Sequence, residues 1–251
     1  MILAVMQARC SSNRLPGKVL KPLLGRPMIL YEMERLAKSR VDKAVLATSN
    51  EVSDDKLAFV VSEAGWDVYR GNLDDVLDRY YQCAKGYRPD HVLRVTGDCP
   101  FLDWQVIDKV IERHLAEGND YTSNTMEYKY PDGLDAEIMT FSALEQAWHE
   151  ARLASEREHV TLYLKNHPDK IKQGSVVCEQ DFSLMRWTVD EPEDYEFVRL
   201  VYEHFGEEQP FFLMEDVLEL LCEQPTLMKI NQGFIRNEGL LKSLREDYVV
   251  K

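Results

Sequence analysis

The sequence predicts an α/β protein whose mostly parallel mixed sheet is flanked by helices, a Rossmann-like arrangement. Two observations lead to this prediction. Short apolar segments alternate in the first half of the chain with longer segments whose apolar residues recur every three or four positions. The first apolar segment, 2–6, also runs directly into a short basic loop that contains proline and glycine. Such a loop lies at the sheet edge where open α/β sheets bind their ligands.

The first half contributes four strands and three helices to this prediction. The predicted strands are 2–6, 45–48, 67–70 and 91–95, and the predicted helices are 27–38, 54–64 and 73–84. Pro27 is favourable in the first turn of a helix, and the apolar residues that follow it lie mostly on one face. Gly65 ends the second helix after apolar residues at helical spacing.

The second half is less regular but continues the pattern. Its predicted strands are 121–124, 136–140, 175–178 and 186–188, and its predicted helices are 141–153, 156–165, 192–205 and 213–221, followed by a last short helix. We therefore divide the chain into a domain of residues 1–205 and a helical extension of residues 206–251. The extension is expected to pack on the domain or on a second subunit.

The composition excludes several classes of protein. The 251-residue chain has a net charge of −14, which disfavours broad binding to nucleic acids or to membrane surfaces. No apolar run approaches the ~20 residues of a membrane span. The N-terminus lacks the pattern of a signal peptide, so a cytoplasmic protein is expected. Five scattered cysteines without C-x-x-C spacing indicate reduced thiols rather than disulfides or a zinc site.

The loop of residues 8–18 is the first candidate site. Residues 1–43 contain nine Lys or Arg against three acidic residues, a local charge of about +6. Short residues in the loop let backbone N–H groups approach an anion, and its cations offset the anion's charge. The P-loop and dinucleotide-binding fingerprints are both absent. The loop therefore indicates either a site for a small polyphosphate or only a solvated basic turn.

Two acidic motifs are predicted to lie at the same edge of the sheet. Gly97 and Pro100 turn the chain around Asp98, so that its carboxylate projects beyond the preceding strand. An Asx turn explains this motif equally well. Asp190 precedes a helix, and with Glu193 it fits an N-cap and a capping-box partner. If both carboxylates are free, they suit Mg²⁺, which prefers hard oxygen ligands.

Two polar segments are candidates for a second substrate pocket. The segment 122–137 is rich in groups that hydrogen-bond to sugars, although a hairpin turn at 131–133 explains about half of it. The segment 155–161 contains Arg157 and His159, which suit the carboxylate of an acidic sugar but also fit the polar face of a helix. Cys10 and Cys99 lie in candidate loops, where we interpret them as small residues rather than as catalytic thiols.

Several of these motifs resemble one known family. The run AR-C-SS-N-RLPGK followed by GRPMI, the run TGD-C-P and the run TVDEPEDYEFV resemble elements of the CMP-sugar synthetases. These cytidylyltransferases activate 3-deoxy-manno-octulosonate and nonulosonic acids. The runs PDGLDAE and REHV are similar to those of the spore-coat polysaccharide (SpsF) branch of the family, whereas the better-known octulosonate enzymes match the acceptor half poorly.

The resemblance implies a GT-A-like nucleotidyltransferase fold and a homodimer. It implies an enzyme that transfers CMP from CTP to a sugar acid of the 2-keto-3-deoxy or nonulosonic type, releasing pyrophosphate, for surface polysaccharide biosynthesis. Mg²⁺ would be held by Asp98 and Asp190. Two alternatives remain open, namely a glycosyltransferase of the same fold, although its D-x-D signal is absent, and a non-catalytic nucleotide-binding subunit.

The resemblance also assigns individual residues. The catalytic residues would be Arg14, Lys18 and Asp98. The nucleotide-binding residues would be Ala8, Arg9, Ser11, Ser12, Arg14, Gly17, Lys18, Gly97 and Asp98. The residues that bind the acceptor would be Asn124, Asp135, Glu137, Arg157 and His159.

Overall fold

A computed structural model describes residues 1–234 and 236–250, and within them the chain forms nine strands. The strands are β1 (Ile2–Gln7), β2 (Pro22–Leu23), β3 (Arg26–Pro27), β4 (Lys43–Ser49), β5 (Asp67–Gly71), β6 (His91–Thr96), β7 (Tyr121–Ser123), β8 (Glu137–Thr140) and β9 (Gln173–Ser175). The four strands predicted in the first half agree with β1, β4, β5 and β6 to within two residues at each end. Strands β2 and β3 form a small separate hairpin.

Seven strands form one mixed sheet in the order β5-β4-β1-β6-β8-β7-β9. The first four strands of that order run parallel, and β8 runs antiparallel to both β6 and β7. The central strand β1 is buried on both faces, which is why its sequence is a continuous apolar run rather than an alternating one. The predicted α/β fold with a mostly parallel mixed sheet is confirmed.

Ten α-helices connect and cover the described strands. They are α1 (Met28–Leu36), α2 (Asp55–Glu63), α3 (Val76–Tyr87), α4 (Trp104–Glu117), α5 (Phe141–Glu150), α6 (Ala154–Glu158), α7 (Leu162–Asn166), α8 (Pro192–Phe205), α9 (Met214–Glu223) and α10 (Glu238–Arg245). Helix α8 has the predicted bounds. Helix α3 begins three residues after its predicted start, because the side chain of Asp75 caps it by accepting from the Asp78 N–H.

Helix α4 was not predicted, although its sequence carries the signal. Its buried residues recur at helical spacing, and the Asp103 side chain caps its first turn by accepting from the N–H groups of Gln105 and Val106. Gly118 ends the helix in the left-handed conformation. This helix packs against the sheet beside β7, β8 and β9.

Three predictions for the second half are wrong in detail. The predicted helix 156–165 is two short helices, α6 and α7, separated at Val160, which has a φ of 29°. The predicted strand 175–178 is displaced, since β9 covers residues 173–175. The predicted strand 186–188 is no sheet strand; it runs beside the turn at 131–133, where a Cβ at Gly133 would lie 2.6 Å from the Thr188 nitrogen.

The described part of the C-terminal extension packs on the rest of the same chain. Apolar residues of α9 share a buried cluster with Phe101, Trp187 and residues of α8. Farther along, the Asp247 carboxylate accepts from Ser155, and Val249 forms a bridge with Leu153. None of the helices within residues 1–234 and 236–250 is long and apolar enough to cross a membrane.

Candidate active site

The loop after β1 is closed by backbone hydrogen bonds. The Gly17 N–H donates to the Cys10 carbonyl over 2.9 Å, and the Cys10 N–H donates to Asp54 Oδ1 over 2.6 Å. The Ser12 hydroxyl accepts weakly from the Leu15 N–H at 3.4 Å. These contacts join the two ends of the loop and tie Cys10 to the turn that follows β4.

The end of β6 packs directly against this loop. A Cβ at Gly97 would lie 2.7 Å from the Ala8 Cβ and 2.8 Å from the Ile29 Cδ1, so only glycine fits here without displacement of its neighbours. Gly97 and Ala8 therefore place Asp98 close to the basic loop. The loop exposes the side chains of Arg9, Ser11 and Arg14.

The Lys18 side chain joins the two acidic motifs. Its Nζ lies 2.9 Å from Asp98 Oδ2 and 2.9 Å from Asp190 Oδ1, and it donates to the Val189 carbonyl over 2.7 Å. Burial alone would lower the pKa of Lys18, but the two carboxylates raise it above its ordinary value. Burial alone would likewise raise the pKa of Asp98, whereas Lys18 and the Thr96 hydroxyl lower it. Lys18 and Asp98 are therefore charged at neutral pH.

Asp190 is not the helix N-cap that its position suggested. The Asp194 carboxylate accepts from the N–H groups of Asp190 and Glu191 and thereby caps α8, while Glu191 occupies the N-cap position. The Asp190 carboxylate is free of that role, and its second oxygen lies 3.1 Å from Arg14 Nη2 and 3.4 Å from Arg186 Nη2. The capping interpretation is wrong for this residue because the N-cap is Glu191, one position later, and the capping-box partner is Asp194 rather than Glu193.

The convergence of two carboxylates on one ammonium group is relevant to metal binding. Asp98 and Asp190 carry two negative charges against the one positive charge of Lys18, and about a quarter of each carboxylate side chain is exposed. Within residues 1–234 and 236–250 no group of three or more His, Cys, Asp or Glu side chains is placed to hold a metal ion. A pair of carboxylates completed by phosphates and water is nevertheless a common ligand set for Mg²⁺, so the pair fits that ion.

A cavity of about 330 Å³ opens beside this pair. Its lining comes from the basic loop, the end of β6, the segment 125–137, the connection between α6 and α7 together with α7, the segment 186–190, and the start of α10. Six residues selected from the sequence lie in this lining, namely Arg14, Asp98, Asp135, Glu137, His159 and Asp190. The structure therefore brings the basic loop, the acid pair and part of the predicted acceptor site to one place.

Two residues predicted to contact the acceptor do not line the cavity. Asn124 is buried, its Nδ2 donates to the Leu134 carbonyl over 2.7 Å and its Oδ1 accepts from the Ala136 N–H over 2.9 Å. Arg157 is paired with both carboxylate oxygens of Asp75 and donates to the Trp148 carbonyl. Asn124 therefore closes the 124–136 segment, and Arg157 anchors α6 to the start of α3.

The sequence analysis did not identify three basic residues of this region, two that line the cavity and one beside it. Arg94 and Lys165 both pair with Glu137, and Arg236 Nη2 lies 2.6 Å from Asp135 Oδ1. A cation within the otherwise apolar strand β6 is the signal by which Arg94 could have been found. Neither Lys165 nor Arg236 carries a comparable local signal, because each reaches its partner only through the fold.

The cavity also contains a carboxyl group with an altered acidity. Burial and the neighbouring Asp135 raise the pKa of Asp132 to about 7, although Arg236 and Arg186 oppose the shift. Burial raises the pKa of Asp135 as well. Such carboxyl groups are frequent where proteins bind substrates or transfer protons.

His159 and the two loop cysteines are poor candidates for charged or nucleophilic groups. Burial lowers the pKa of His159, whose Nε2 lies 3.0 Å from the Ser243 hydroxyl of α10. Burial and Asp54 raise the pKa of the Cys10 thiol to about 11, and burial raises the pKa of Cys99 still more strongly. Both cysteines are therefore thiols at neutral pH, as expected for small packing residues.

Comparison with known proteins identifies one family, both by a family model and by a similar sequence. The family model for cytidylyltransferases matches residues 3–229. The chain is 33% identical over 232 residues to the spore coat polysaccharide biosynthesis protein SpsF of Bacillus subtilis, covering 89% of this chain and 95% of that protein.

Two solved structures extend the comparison. A cytidylyltransferase from Leptospira borgpetersenii superposes with a TM-score of 0.87 at 32% identity and covers 94% of this chain and 99% of its own. A CMP:2-keto-3-deoxy-manno-octonic acid synthetase complexed with CTP superposes with a TM-score of 0.62 at 16% identity, covering 82% of this chain and 99% of its own. The second likeness concerns the fold alone.

Proposed function

The chain belongs to the cytidylyltransferase family, and from this premise we propose that it transfers CMP from CTP to a hydroxyl group of a sugar acid and releases pyrophosphate. The observation that carries the proposal is the meeting of Lys18 with Asp98 and Asp190 between the basic loop and the cavity. This arrangement supports a triphosphate on the loop side and an acceptor on the cavity side. The solved synthetase complexed with CTP has the same fold.

In the proposed reaction the acceptor hydroxyl oxygen attacks the α-phosphorus of CTP in line with the leaving group. A bond forms between that oxygen and the α-phosphorus, and the bond to the oxygen bridging to the β-phosphate breaks. The electron pair leaves with pyrophosphate, whose developing charge Arg14 and Lys18 stabilise. The hydroxyl proton passes to Asp132, which lines the same cavity and whose pKa is raised to about 7.

We further propose that Mg²⁺ is the cofactor and that Asp98 and Asp190 hold it. An ion held by these two carboxylates would supply Lewis-acid stabilisation of the negative charge at the α-phosphate. The two carboxylates also need Lys18, which keeps them close together despite their mutual repulsion. The exposed cations and short residues of the 8–18 loop would bind the β- and γ-phosphates.

The acceptor is proposed to be a 2-keto sugar acid of the octulosonic or nonulosonic type, used for surface polysaccharides. The resemblance to the spore-coat branch and the polar lining of the cavity support this class. The same resemblance suggests a homodimer, which light scattering coupled to size-exclusion chromatography tests directly.

Pyrophosphate release tests the proposed function. The wild-type protein is assayed with Mg²⁺, with CTP, ATP or GTP, and with a panel that includes 3-deoxy-D-manno-octulosonate and N-acetylneuraminate. We expect release with CTP and one class of sugar acid, and we expect Asp98→Ala to abolish it. A protein that binds CTP by calorimetry but releases no pyrophosphate with any acid would instead be a nucleotide-binding subunit.

A further inference from the structure

The floor of the cavity contains one buried carboxylate between two cations. Only 4% of the Glu137 side chain is exposed, whereas 17% of Arg94 and 26% of Lys165 are exposed. Lys165 Nζ lies 3.0 Å from Glu137 Oε2, and Arg94 Nη1 donates to Glu137 Oε1. Two positive charges therefore surround one negative charge, and the positive groups are more exposed to the cavity than Glu137 is.

Glu137 has little capacity for a ligand. The hydroxyl groups of Tyr121 and Thr161 also donate to its Oε2, the latter over 2.8 Å. Burial would raise the pKa of Glu137, but Lys165 and Arg94 hold it well below the usual range, so the group is ionised. Glu137 thus fixes the two cations in place and neutralises only one of them.

The two cations have donors to spare. Lys165 Nζ contacts Thr125 Oγ1 at 3.0 Å in addition to Glu137, and an ammonium group carries three donors. Arg94 Nε is buried and has no hydrogen-bond partner within residues 1–234 and 236–250. An unsatisfied buried donor is destabilising, so an acceptor oxygen supplied by a ligand or by water is expected here.

The other two arginines that line the cavity differ from Arg94 in their ion pairs, because each pairs with more than one acidic residue. Arg14 pairs with Asp190, Glu191 and Glu238. Arg186 pairs with Asp132, Asp190 and Asp194. Within the part of the chain that the structure describes, Arg94 and Lys165 are therefore the cavity-lining cations that share a single acidic ion-pair partner, Glu137.

We propose that Arg94 and Lys165 bind the carboxylate of the acceptor and thereby select an acid over a neutral sugar. The proposal rests on the proposed function. In a 2-keto sugar acid the carboxylate is bonded to the carbon that bears the reacting hydroxyl, so it must bind in the same cavity as the acid pair. Arg94 meets this condition, since it lies four residues before Asp98 and both line the cavity.

Calorimetry with defined probes tests the proposal. The protein is saturated with CMP and titrated with 3-deoxy-D-manno-octulosonate, with N-acetylneuraminate and with the methyl ester of each acid. We expect the wild type to prefer at least one acid to its ester by about tenfold or more, and we expect Lys165→Met to abolish that preference. Lys165→Arg keeps the charge and should retain the preference.

The matched control is Lys170→Met, because Lys170 pairs with the exposed Glu150 and does not line the cavity. CTP binding measured on every variant reports both folding and the nucleotide site. Equal binding of acid and ester by the wild type, or an undiminished preference in Lys165→Met, overturns the inference. The inference is also overturned if the wild-type protein binds CTP but binds neither acid. If the wild-type protein does not bind CTP at all, the proposed function itself is overturned.

Discussion

Lys18 and Asp190 are 172 residues apart in the chain, yet the Lys18 Nζ lies 2.9 Å from Asp190 Oδ1. The same ammonium group reaches Asp98, so a single buried cation holds together the basic loop, the end of β6 and the start of α8. A buried charge that loses its partner is strongly destabilising, so none of these groups can be replaced without consequence for the others. This relationship motivates the first prediction.

Replacement of Lys18 by methionine should abolish most of the activity and also lower the stability of the fold. The two carboxylates then lose the cation that they share, and the leaving pyrophosphate loses a nearby positive charge. We expect kcat/KM for CTP to fall by about 10²-fold or more in the pyrophosphate assay. Lys21→Met, a change three residues away at a side chain that lies over the Tyr195 ring, is the control and should stay within about twofold of wild type. Wild-type turnover by Lys18→Met would contradict the assignment.

Acid should weaken the contribution of Asp98 to stability. Its pKa is lower in the folded protein than the ordinary value of 3.8, so its stabilising contribution is present above pH 3.8 and is lost as the pH falls through the folded value. We expect the difference in unfolding free energy between wild type and Asp98→Asn to be constant from pH 5 to 7 and to shrink below about pH 4. Urea unfolding at a series of pH values measures this difference. A difference that grows on acidification would contradict it.

The contribution of Asp132 to stability should depend on pH in the opposite direction. Its pKa is raised from 3.8 to about 7 in the folded protein, so the folded state binds the proton more tightly than the unfolded state does. Between these two values the stability of the wild type should decline with rising pH relative to Asp132→Asn. Denaturant unfolding at pH 4 and pH 7 gives the comparison. Asp132→Asn should also lower kcat more than it changes KM for CTP, and an unaltered kcat would argue against its role as proton acceptor.

The contact between Arg14 and Glu238 should oppose nucleotide binding. Arg14 Nη1 lies 2.6 Å from Glu238 Oε2, and both side chains are substantially exposed, so the carboxylate competes weakly with a phosphate for the same guanidinium. We expect Glu238→Gln to tighten CTP binding by about two- to threefold, as an exposed ion pair allows. Calorimetric titration with CTP measures the change. Glu246→Gln, in the same C-terminal segment, should leave the affinity unaltered, and weaker binding by Glu238→Gln would refute the expected competition.

A methyl group at Gly97 should disturb the site through packing. It would come within 2.8 Å of Ala8 and Ile29, so the loop or α1 must shift. We expect Gly97→Ala to lower the free energy of unfolding by about 1–3 kcal/mol and to reduce activity. Gly86→Ala is the matched control, because a Cβ at Gly86 in α3 meets nothing within 4 Å and should be neutral or slightly stabilising. Thermal unfolding compares the two variants, and equal stabilities would contradict the packing argument.

Much of the fold follows from short-range patterns in the sequence. The apolar runs at 2–6 and 91–95 predict buried parallel strands, and Pro192 with its apolar spacing predicts α8 with the observed bounds. The motif around Asp98 and the basic loop also indicate where a site lies. Helix α4 carries equally clear local signals, namely the Asp103 cap, the apolar residues at helical spacing and the terminal Gly118.

Such local patterns did not predict which groups the site residues contact through hydrogen bonds and ion pairs. Asn124 and Arg157 are polar residues in polar segments, and nothing local distinguishes a buried structural clamp from a ligand contact. Likewise, the N-cap of α8 is Glu191, one residue later than predicted from Asp190, and Asp194 is its capping-box partner. These outcomes depend on which side chain the surrounding elements enclose.

By itself, therefore, the sequence determined the parallel α/β sheet, the basic loop and the two acidic motifs at one edge of that sheet, since periodicity, turns and caps are encoded within a few residues. Only the tertiary structure decided that Lys18 joins Asp98 to Asp190 and that Arg94 and Lys165 share Glu137. The physical reason is that charge pairing between distant segments depends on packing, which brings together groups from β6, β8 and α7 and removes them from water.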